Sequence, residues 1–202
     1  GHVISNLTYT ATTNKWYVGL FGYTQSGTIK KLGVENISIT TGGKYVGSIV
    51  GSNGSSLISC YATGLVNGQG HVGGLVGSNC VTITACYASS SVNGTDDVGG
   101  LVGINSGSIT GCYAIGSVNG TLGYANGLVG LNYSLGTIKS SFWDIQTSGQ
   151  VGSEGGKGLT TVQMKTTSIY QNAGWVDHGW VMEDGVDYPR LSWEETSGIG
   201  IP

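Results

Sequence analysis

Three cysteines recur at an interval of 26 residues, as Cys60, Cys86 and Cys112 in a chain of 202 residues. Thiolates bind zinc and thiols form disulfides, so both chemistries have to be weighed against this spacing. Three thiolates in a line make a poor tetrahedral zinc site, and parallel stacking does not give the rotated geometry that a disulfide needs. The pattern predicts a buried column of free thiols that act as small apolar side chains. Cys80, at a turn position, is predicted to lie outside the column as a more accessible thiol.

His71 and Asp97 share one position of the same repeat, which Tyr17 and Tyr45 occupy in earlier units. Equivalent positions on neighbouring units lie close together, so His71 and Asp97 could form an ion pair. A catalytic His–Asp pair needs a nucleophile or a substrate pocket beside it, and no third residue recurs in the same register. We therefore predict a structural ion pair. Asp96 and Asp97 are adjacent, so their carboxylates would point in different directions and would not flank a glycosidic bond.

Tyr61, Tyr87 and Tyr113 follow the three repeated cysteines directly, and Phe142 continues the series. If the flanking Cys and Ala side chains point inward, the tyrosine rings point outward, because side chains alternate along a strand. A row of outward rings could contact the sugar rings of a glycan, and it could equally pack to protect a sheet face. Both interpretations stay open for these three tyrosines.

Four acidic residues near the C-terminus offer carboxylate oxygens, which are the ligands that Ca²⁺ prefers. They lack the alternating Asp/Asn and Gly spacing of a calcium-binding loop, so a solvated, turn-forming role is favoured. These residues are Asp177, Glu183, Asp184 and Asp187. The sequence predicts no catalytic residue, no metal site and no cofactor.

The elements that must position these side chains come from a repeat. The phrase Val98-Gly-Gly-Leu-Val-Gly103 returns at residues 72–77 and 45–51, and looser forms lie at residues 17–22 and 126–130. Aligned on this phrase, the units are 26 to 28 residues long, and each reads as three short β segments separated by Gly, Asn and Ser turns. A unit of this kind is typical of one coil of a parallel β-solenoid, in which equivalent strands stack about 4.8 Å apart.

Four asparagines occupy the same position of successive units, two residues after the last glycine of the phrase. They are Asn53, Asn79, Asn105 and Asn132. Amide side chains that stack at the strand spacing can pass hydrogen bonds along the stack. We therefore predict a structural asparagine ladder, with a solvent-facing recognition row as the alternative.

The repeat degenerates at residues 126–148, and the composition then changes. We expect residues 1–148 to form the solenoid and residues 149–202 to form a connector, a short helix at 160–172 and a β-hairpin that turns at Asp184-Gly185. The tryptophans of this tail suit a lid over the end of the solenoid core. The predicted fold is all-β, a single-domain right-handed parallel β-solenoid of about six coils with a small C-terminal helix-plus-hairpin cap.

Composition argues against several classes of protein. Only 9% of the residues are charged and the net charge is −3, far from the basic surface that nucleic acid selects, so no nucleic-acid partner is expected. The sequence has no run of about 20 apolar residues, so no membrane span is predicted. The chain begins without an initiator methionine or a signal peptide, at a stretch that reads as the middle of a β repeat. We therefore expect a processed product or a fragment of a longer protein.

The phrases around Val72 and Val98 and the stretch Cys86-Tyr-Ala-Ser resemble the GLUG repeat of secreted and surface-attached bacterial and archaeal proteins. The stretches Ser141-Phe-Trp-Asp144 and Tyr188-Pro-Arg-Leu191 are similar to the ending that commonly follows such repeats. The resemblance implies a β-helical scaffold like that of adhesin-like chains and of the non-catalytic region of some immunoglobulin-A-cleaving metallopeptidases. The His-Glu-x-x-His zinc motif of those peptidases is absent from this sequence, so the resemblance does not carry their activity.

These observations favour a non-enzymatic structural or adhesive module, extracellular or at the cell surface, with a cell-surface glycan as a partner. The alternative is a polysaccharide-binding or polysaccharide-degrading β-helix protein. Because a solenoid ends in unpaired strand edges, we also expect head-to-tail contacts between copies that extend into a filament, through the N-terminal coil or a strand donated by residues 197–202. Ice binding, which needs a long flat Thr or Ser array, is disfavoured because Ile58, Thr84 and Thr110 do not continue far enough.

Overall fold

The computed structural model describes residues 1–122, 124–175, 179–194 and 199–201. The first two turns contain β1 (His2–Ser5), β2 (Thr8–Ala11), β3 (Phe21–Thr24), β4 (Thr28–Lys30), β5 (Leu32–Thr41), β6 (Lys44–Gly47), β7 (Val50–Asn53) and β8 (Ser56–Ile58). The next two contain β9 (Tyr61–Asn67), β10 (Gly70–Gly73), β11 (Val76–Asn79), β12 (Thr82–Thr84), β13 (Tyr87–Gly94), β14 (Asp96–Gly99), β15 (Val102–Asn105) and β16 (Ser108–Thr110). The last strands of this series are β17 (Tyr113–Ala114), β18 (Val118–Gly120), β19 (Ala125–Asn126), β20 (Val129–Asn132), β21 (Thr137–Lys139), β22 (Phe142–Asp144) and β23 (Lys157–Leu159).

These strands form four parallel sheets, named faces A to D, and consecutive strands along the chain lie on consecutive faces. Face A contains β1, β2, β5, β9, β13, β17, β18, β22 and β23, and face B contains β6, β10, β14 and β19. Face C contains β3, β7, β11, β15 and β20, and face D contains β4, β8, β12, β16 and β21. The fold is therefore the predicted all-β parallel β-solenoid. It has about five turns where the sequence suggested about six, because only face A continues beyond the five levels of faces C and D.

The strand register stacks like residues on like residues. In the middle turns the Cα partners are Val72 and Val98, Val76 and Val102, Ile83 and Ile109, and Val92 and Val118. All of these side chains are buried in one core that runs along the inside of the coil. Since burying one such side chain contributes about 1.5–3 kcal/mol, the stacked columns are the main source of stability.

Two corners of the coil use a left-handed backbone at residues other than glycine. Where the chain enters face B the left-handed residues are Tyr17, Tyr45, His71 and Asp97, with φ of 60, 59, 53 and 47°. Between faces D and A they are Lys31, Ser59, Ala85 and Ser140, and Gly111 occupies the same position of one turn. This conformation is uncommon for residues with a Cβ, so each turn must hold it by packing and by hydrogen bonds to its neighbours.

The Gly-Gly of the repeated phrase allows successive turns to approach closely at the corner between faces B and C. A Cβ on Gly74 would lie 2.2 Å from the carbonyl oxygen of Gly100, and a Cβ on Gly100 would lie 2.3 Å from that of Gly127. A side chain at either glycine would force the turns apart. The glycine phrase is thus a packing requirement of the stack.

The C-terminal end of the core is closed by Trp143 and the segment that follows it. The Trp143 ring is buried in the solenoid core and lies against Gly127, and its Nε1 donates a hydrogen bond to the Gln150 carbonyl oxygen at 3.0 Å. Ser153 Oγ accepts hydrogen bonds from the backbone N–H groups of Leu128 and Val129. These contacts pair backbone donors that a bare last turn would leave open.

The tail consists of short helices and a three-stranded antiparallel sheet. Its elements are α1 (Ile145–Ser148), α2 (Thr161–Met164), α3 (Thr167–Asn172), β24 (Trp180–Met182), β25 (Arg190–Leu191), a 3₁₀ turn (Ser192–Glu194) and β26 (Ile199–Gly200). Thr160 forms a capping box with Gln163, but the helix expected at 160–172 is two helices, because Lys165 ends α2 and Thr166 begins α3. The hairpin pairs β24 with β25 through a connection longer than the expected two-residue turn.

The tryptophan content suggested that the tail forms a lid over the end of the solenoid. The tail does not take this position. It lies along the outer side of face A, where Trp193 Nε1 donates to the Ser59 carbonyl oxygen and Trp175 Nε1 donates to that of Ser140. These contacts span several turns, so the tail is a lateral cover. The physical reason is the row of aromatic rings on face A, against which the tail packs its own aromatic side chains in one buried cluster.

The first strands form an edge of the solenoid. Within the described ranges, β1 and β2 pair with β5 alone, and all four residues of β1 are exposed. Of the strand that was expected to be donated by residues 197–202, residues 197, 198 and 202 lie outside the described part. Ile199–Gly200 pairs with β24 of the same chain, so it is already used within the tail. No helix in the described part of the chain is long and apolar enough to cross a membrane.

Candidate functional site

The four predicted ladder asparagines lie in a continuous line on face C. Asn53 Nδ2 donates to Asn79 Oδ1 at 2.9 Å, and Asn79 Nδ2 donates to Asn105 Oδ1 at 2.8 Å. Asn105 Nδ2 in turn donates to Asn132 Oδ1 at 2.8 Å. The first three side chains are fully buried, so they face the inside of the coil and hold neighbouring turns together.

A second amide row, on face A, was not anticipated as a ladder. Asn93 Nδ2 donates to Asn67 Oδ1 at 2.8 Å, and Asn119 Nδ2 donates to Asn93 Oδ1 at 2.9 Å. Asn67 Nδ2 donates to Thr40 Oγ1 at 3.0 Å. The repeated Val-Asn-Gly at the end of each unit is the signal that could have indicated this row.

The three repeat cysteines are buried and free, and the exposed Cys80 is free as well. Two thiols of the column accept hydrogen bonds from the preceding turn. The Cys60 N–H donates to Cys86 Sγ at 3.3 Å, and the Cys86 N–H donates to Cys112 Sγ at 3.4 Å. Burial raises the pKa of the Cys86 thiol well above its ordinary value, which disfavours a thiolate. In the described ranges no cluster of His, Cys, Asp and Glu could hold a metal ion.

The tyrosine column is stacked, but the tail covers it. The rings of Tyr61 and Tyr87 lie 5.1 Å apart and those of Tyr87 and Tyr113 lie 4.9 Å apart, with interplanar angles of 4° and 3°. All three are buried, and Trp193 and Trp180 pack against them. The expectation that Tyr61, Tyr87 and Tyr113 contact a glycan is therefore withdrawn, because the aromatic tail occupies the face that a glycan would need.

Two hydroxyl groups of this column bind the tail to face A. Tyr87 Oη donates to Glu194 Oε2 at 2.8 Å, and Tyr113 Oη donates to the Pro189 carbonyl oxygen. The third, Tyr61 Oη, donates to Glu35 Oε1 at 2.6 Å, within face A itself. Burial, followed by the charge and hydrogen bond of Glu194, raises the pKa of Tyr87, so this hydroxyl stays a neutral donor. Burial also raises the pKa of the Glu194 carboxyl.

Asp144 joins the last turn of the solenoid to the tail. Its Oδ1 accepts hydrogen bonds from the N–H groups of Gln146 and Thr147, which cap α1. Its Oδ2 accepts from Thr161 Oγ1 and from Tyr188 Oη, both at 2.7 Å. This fully buried carboxylate is saturated by donors, so its role is structural.

The acidic residues of the tail act within turns and helix ends. Asp184 Oδ1 accepts from the Thr167 N–H at 2.7 Å, at the start of α3, and this bond lowers the pKa of Asp184. Asp187 forms an ion pair with Arg190 at 2.8 Å. A cavity of about 420 Å³ lies between α3 and the hairpin and is lined in part by Glu183 and Asp184. Asp177 falls outside the described residues.

His71 and Asp97 form the expected contact, with Nδ1 and Oδ2 2.7 Å apart. The His71 ring lies tilted against the Tyr45 ring at a centroid distance of 4.7 Å, and Tyr45 stacks on Tyr17 at 5.0 Å. The pair thus continues a row that begins with two tyrosines, and the strand register places Tyr124 at the next position of that row. Burial and the neighbouring Tyr17 raise the pKa of Tyr45.

The first turns also carry an exposed aromatic cluster that the repeat pattern did not reveal. It consists of Trp16, Tyr17 and Tyr23, with Tyr45 beneath them. Trp16 and Tyr23 belong to no column, so periodicity gave no signal for them. Their density in the segment 16–23 was the available clue.

The profile of the GLUG motif matches residues 94–119. This stretch runs from the end of β13 through β14, β15, β16 and β17 into β18, which is one turn of the coil. The strand register repeats that turn along the solenoid. The chain contains a GLUG motif, and the repeated turns are consistent with a GLUG repeat protein.

Two known proteins are similar to this chain. A "Putative Gly-rich membrane protein" of Evansella cellulosilytica is 37% identical over 68 residues, which are 32% of this chain and 8% of that protein. The chain therefore spans a small fraction of that relative. The crystal structure of a "putative immunoglobulin A1 protease" from Bacteroides ovatus superposes with a TM-score of 0.67 and 21% identity, over 96% of this chain and 76% of the other. At that identity the likeness supports the solenoid fold alone.

The matched GLUG turn contains one member of each internal row. Asn105, Cys112 and Asp97 lie in it, and each contacts its counterpart in the preceding turn. The GLUG motif therefore describes how turns bind to one another. The exposed aromatic cluster lies outside the matched residues.

Proposed function

We propose that this GLUG chain is a non-enzymatic structural and adhesive module of an extracellular or cell-surface protein. One observation carries the proposal: the side chains best suited to chemistry are engaged in holding turns or tail together. Cys86 and Cys112 accept backbone hydrogen bonds, and His71 is paired with Asp97. The GLUG motif and the solenoid fold fit a surface or secreted β-helix protein.

The adhesive part is tested by measuring retention of the purified chain on surfaces coated with polysaccharides or with proteins. Retention on at least one class of surface, against an uncoated control, is the expected result. The structural part is tested by incubating the chain with a broad panel of polysaccharides and looking for products. Turnover that scales with protein concentration would replace the proposal with an enzyme. Absence of retention on every surface would remove the adhesive role.

The name of the structural neighbour provides a second candidate, cleavage of immunoglobulin A1. The direct test is incubation of immunoglobulin A1 with the chain, with fragments separated by gel electrophoresis and the reaction repeated with a metal chelator. We expect intact immunoglobulin. Fragments that appear only with the chain would favour the peptidase.

Self-assembly remains a further proposal for the same module. Within the described part, the N-terminal strands β1 to β4 and the C-terminal strands β19 to β21 each pair on one side, and such edges can bind another strand. Contact between unlike ends would extend into a filament.

The assembly is tested by sedimentation velocity and electron microscopy of the chain beside an edge variant. Ile4→Lys places a charge on the exposed strand β1, and Val162→Lys places the same charge on the exposed side of α2 as a control. Filaments that are lost only with Ile4→Lys support the proposal. A monodisperse monomer at high concentration overturns it.

A further inference from the structure

The exposed aromatic cluster of the first turns presents an unusual amount of ring surface to solvent. Trp16 is 59% exposed, Tyr17 42% and Tyr23 61%. Large aromatic side chains normally bury most of their surface, since each brings about 150–250 Å² of contact area. Three such rings side by side form a patch of the kind that marks a binding surface.

The ring planes show which parts of the cluster can contact a flat ligand. Tyr17 and Tyr45 lie on successive turns and stack at 5.0 Å with an interplanar angle of 20°, so they cover one face of each other. Trp16 is rotated 74° and Tyr23 66° from the plane of Tyr17, at centroid distances of 6.4 and 6.1 Å. The two outer rings therefore lie edge-on to Tyr17, and their exposure leaves ring faces open to solvent.

The backbone holds this cluster in a fixed position against the next turn. The Tyr17 N–H donates to the Lys44 carbonyl oxygen, and the Val18 N–H donates to that of Tyr45, both at 3.0 Å. A Cβ on Gly43 would lie 1.5 Å from the Lys15 carbonyl oxygen, so only glycine lets the loop that carries Trp16 approach this closely. Ring positions are thereby set before any ligand arrives, which lowers the entropic cost of binding.

Polar groups continue from the cluster along the same corner of the coil. Tyr45, His71 and Asp97 follow Tyr17 at one turn each, and the ion pair with Asp97 fixes the imidazole ring. The strands of this row also border a groove of about 260 Å³, whose polar side chains are Lys44, Gln69, Thr95 and Asp96. Hydroxyl, imidazole and carboxylate groups beside aromatic faces suit a ligand that has both apolar faces and hydroxyl groups.

We propose that Trp16, Tyr17 and Tyr23 form a platform on which the sugar rings of an uncharged polysaccharide stack, with the hydroxyl groups directed to the polar row. A pyranose with mainly equatorial hydroxyl groups offers a flat C–H face to an aromatic ring and hydroxyl groups at its rim. The inference rests on the adhesive function proposed above and names its ligand class.

The size of the patch favours a glycan over a protein partner. At the observed exposures the three rings offer roughly 300–400 Å², whereas each partner of a stable protein interface buries about 800 Å². The low charge of the chain likewise suits a neutral ligand.

The test is a binding titration of the purified full chain with soluble hexasaccharides, followed by tryptophan fluorescence and calorimetry. The probes are β-1,4-linked glucose and N-acetylglucosamine oligomers, with a polygalacturonate oligomer as the charged comparison. The double variant Trp16→Ala with Tyr23→Ala should weaken binding of a neutral oligomer at least about tenfold, from the stacking of two rings. Tyr9→Ala removes an exposed ring from β2 on face A and should leave binding unchanged.

Equal denaturation midpoints of the wild type and both variants show that a loss of binding is local. The platform is overturned if the double variant still binds the neutral oligomers, or if Tyr9→Ala loses as much binding as the double variant. Either result still allows adhesion through another part of the chain. Preference for the charged oligomer also overturns it. Sedimentation of the same samples tests whether the platform binds a second copy of the chain. Self-association that is lost with the double variant would identify that copy as the ligand, instead of a glycan. Failure of the wild type on every oligomer, with retention on protein-coated surfaces, rejects the platform and keeps the proposed function.

Discussion

Replacement of Asn79 by alanine tests whether the inner amide row holds the turns together. Asn79 accepts one hydrogen bond from Asn53 and donates one to Asn105, and all three side chains are fully buried. The substitution removes both bonds and leaves Asn105 Oδ1 without this donor. Asn53 keeps its second bond, to the Ser55 carbonyl oxygen.

The magnitude follows from these contacts. Two hydrogen bonds contribute about 0.5–1.5 kcal/mol each, and a buried acceptor that loses its donor costs about 1–3 kcal/mol. We therefore expect Asn79→Ala to lower the free energy of unfolding by about 2–6 kcal/mol. Asn132→Ala is the matched control, because Asn132 is half-buried at the end of the row, where water can replace its bond from Asn105 and its long 3.2 Å bond to the Gly136 carbonyl oxygen. Its expected cost is about 1 kcal/mol.

Urea denaturation followed by circular dichroism measures both variants, with equal slopes required for the comparison. The inner variant should unfold at a clearly lower urea concentration than the end variant. Equal midpoints would refute the reasoning, because a row of independent, solvent-satisfied amides would make the inner and end positions equivalent.

Three further outcomes test the tail and the thiols. Asp144→Asn removes one acceptor oxygen, so it should cost about 2 kcal/mol and expose the tail to proteolysis at low protease concentration; an unchanged cleavage pattern would contradict its role in binding Tyr188. Alkylation of the native protein, mapped by mass spectrometry, should modify Cys80 first and the three repeat cysteines slowly, and equal rates would contradict the buried column. Burial raises the pKa of Glu194 above its ordinary 4.5, so the native state holds the extra proton and stability should fall as pH rises from 4.5 through the raised value. A Glu194→Gln variant should lose that slope, and a wild-type slope in this variant would assign it to another group.

The solenoid could be predicted from the sequence because its physical cause is periodic. Stacked turns require Gly at the close approach of Gly74 to Gly100, and they require buried Val and Ile at equal intervals. Both requirements repeat in the primary structure, so the alignment of Asn53 with Asn79 already placed the two amides on neighbouring turns. The pairing of His71 with Asp97 was accessible for the same reason.

The left-handed backbone conformation at the corners could not be predicted from the repeat. Ser59, Ala85 and Tyr45 adopt positive φ although none of these residue types signals it. The conformation is imposed by the turns on either side, which fix the path of the chain. Local propensity therefore contains no trace of it, and the direction of the rings at Tyr17 and Tyr45 could not be derived.

The position of the tail was beyond prediction for a related reason. Outward tyrosines next to inward cysteines are correct geometry for face A, yet an outward ring is exposed only if nothing packs on it. The tail carries tryptophans that complement the row, with Trp193 on Tyr61 and Trp180 on Tyr113. This complementarity depends on two surfaces together, and it leaves no repeating pattern in the sequence. Trp16 and Tyr23 are largely exposed, and this difference moves the glycan hypothesis from the covered tyrosine column to the first turns.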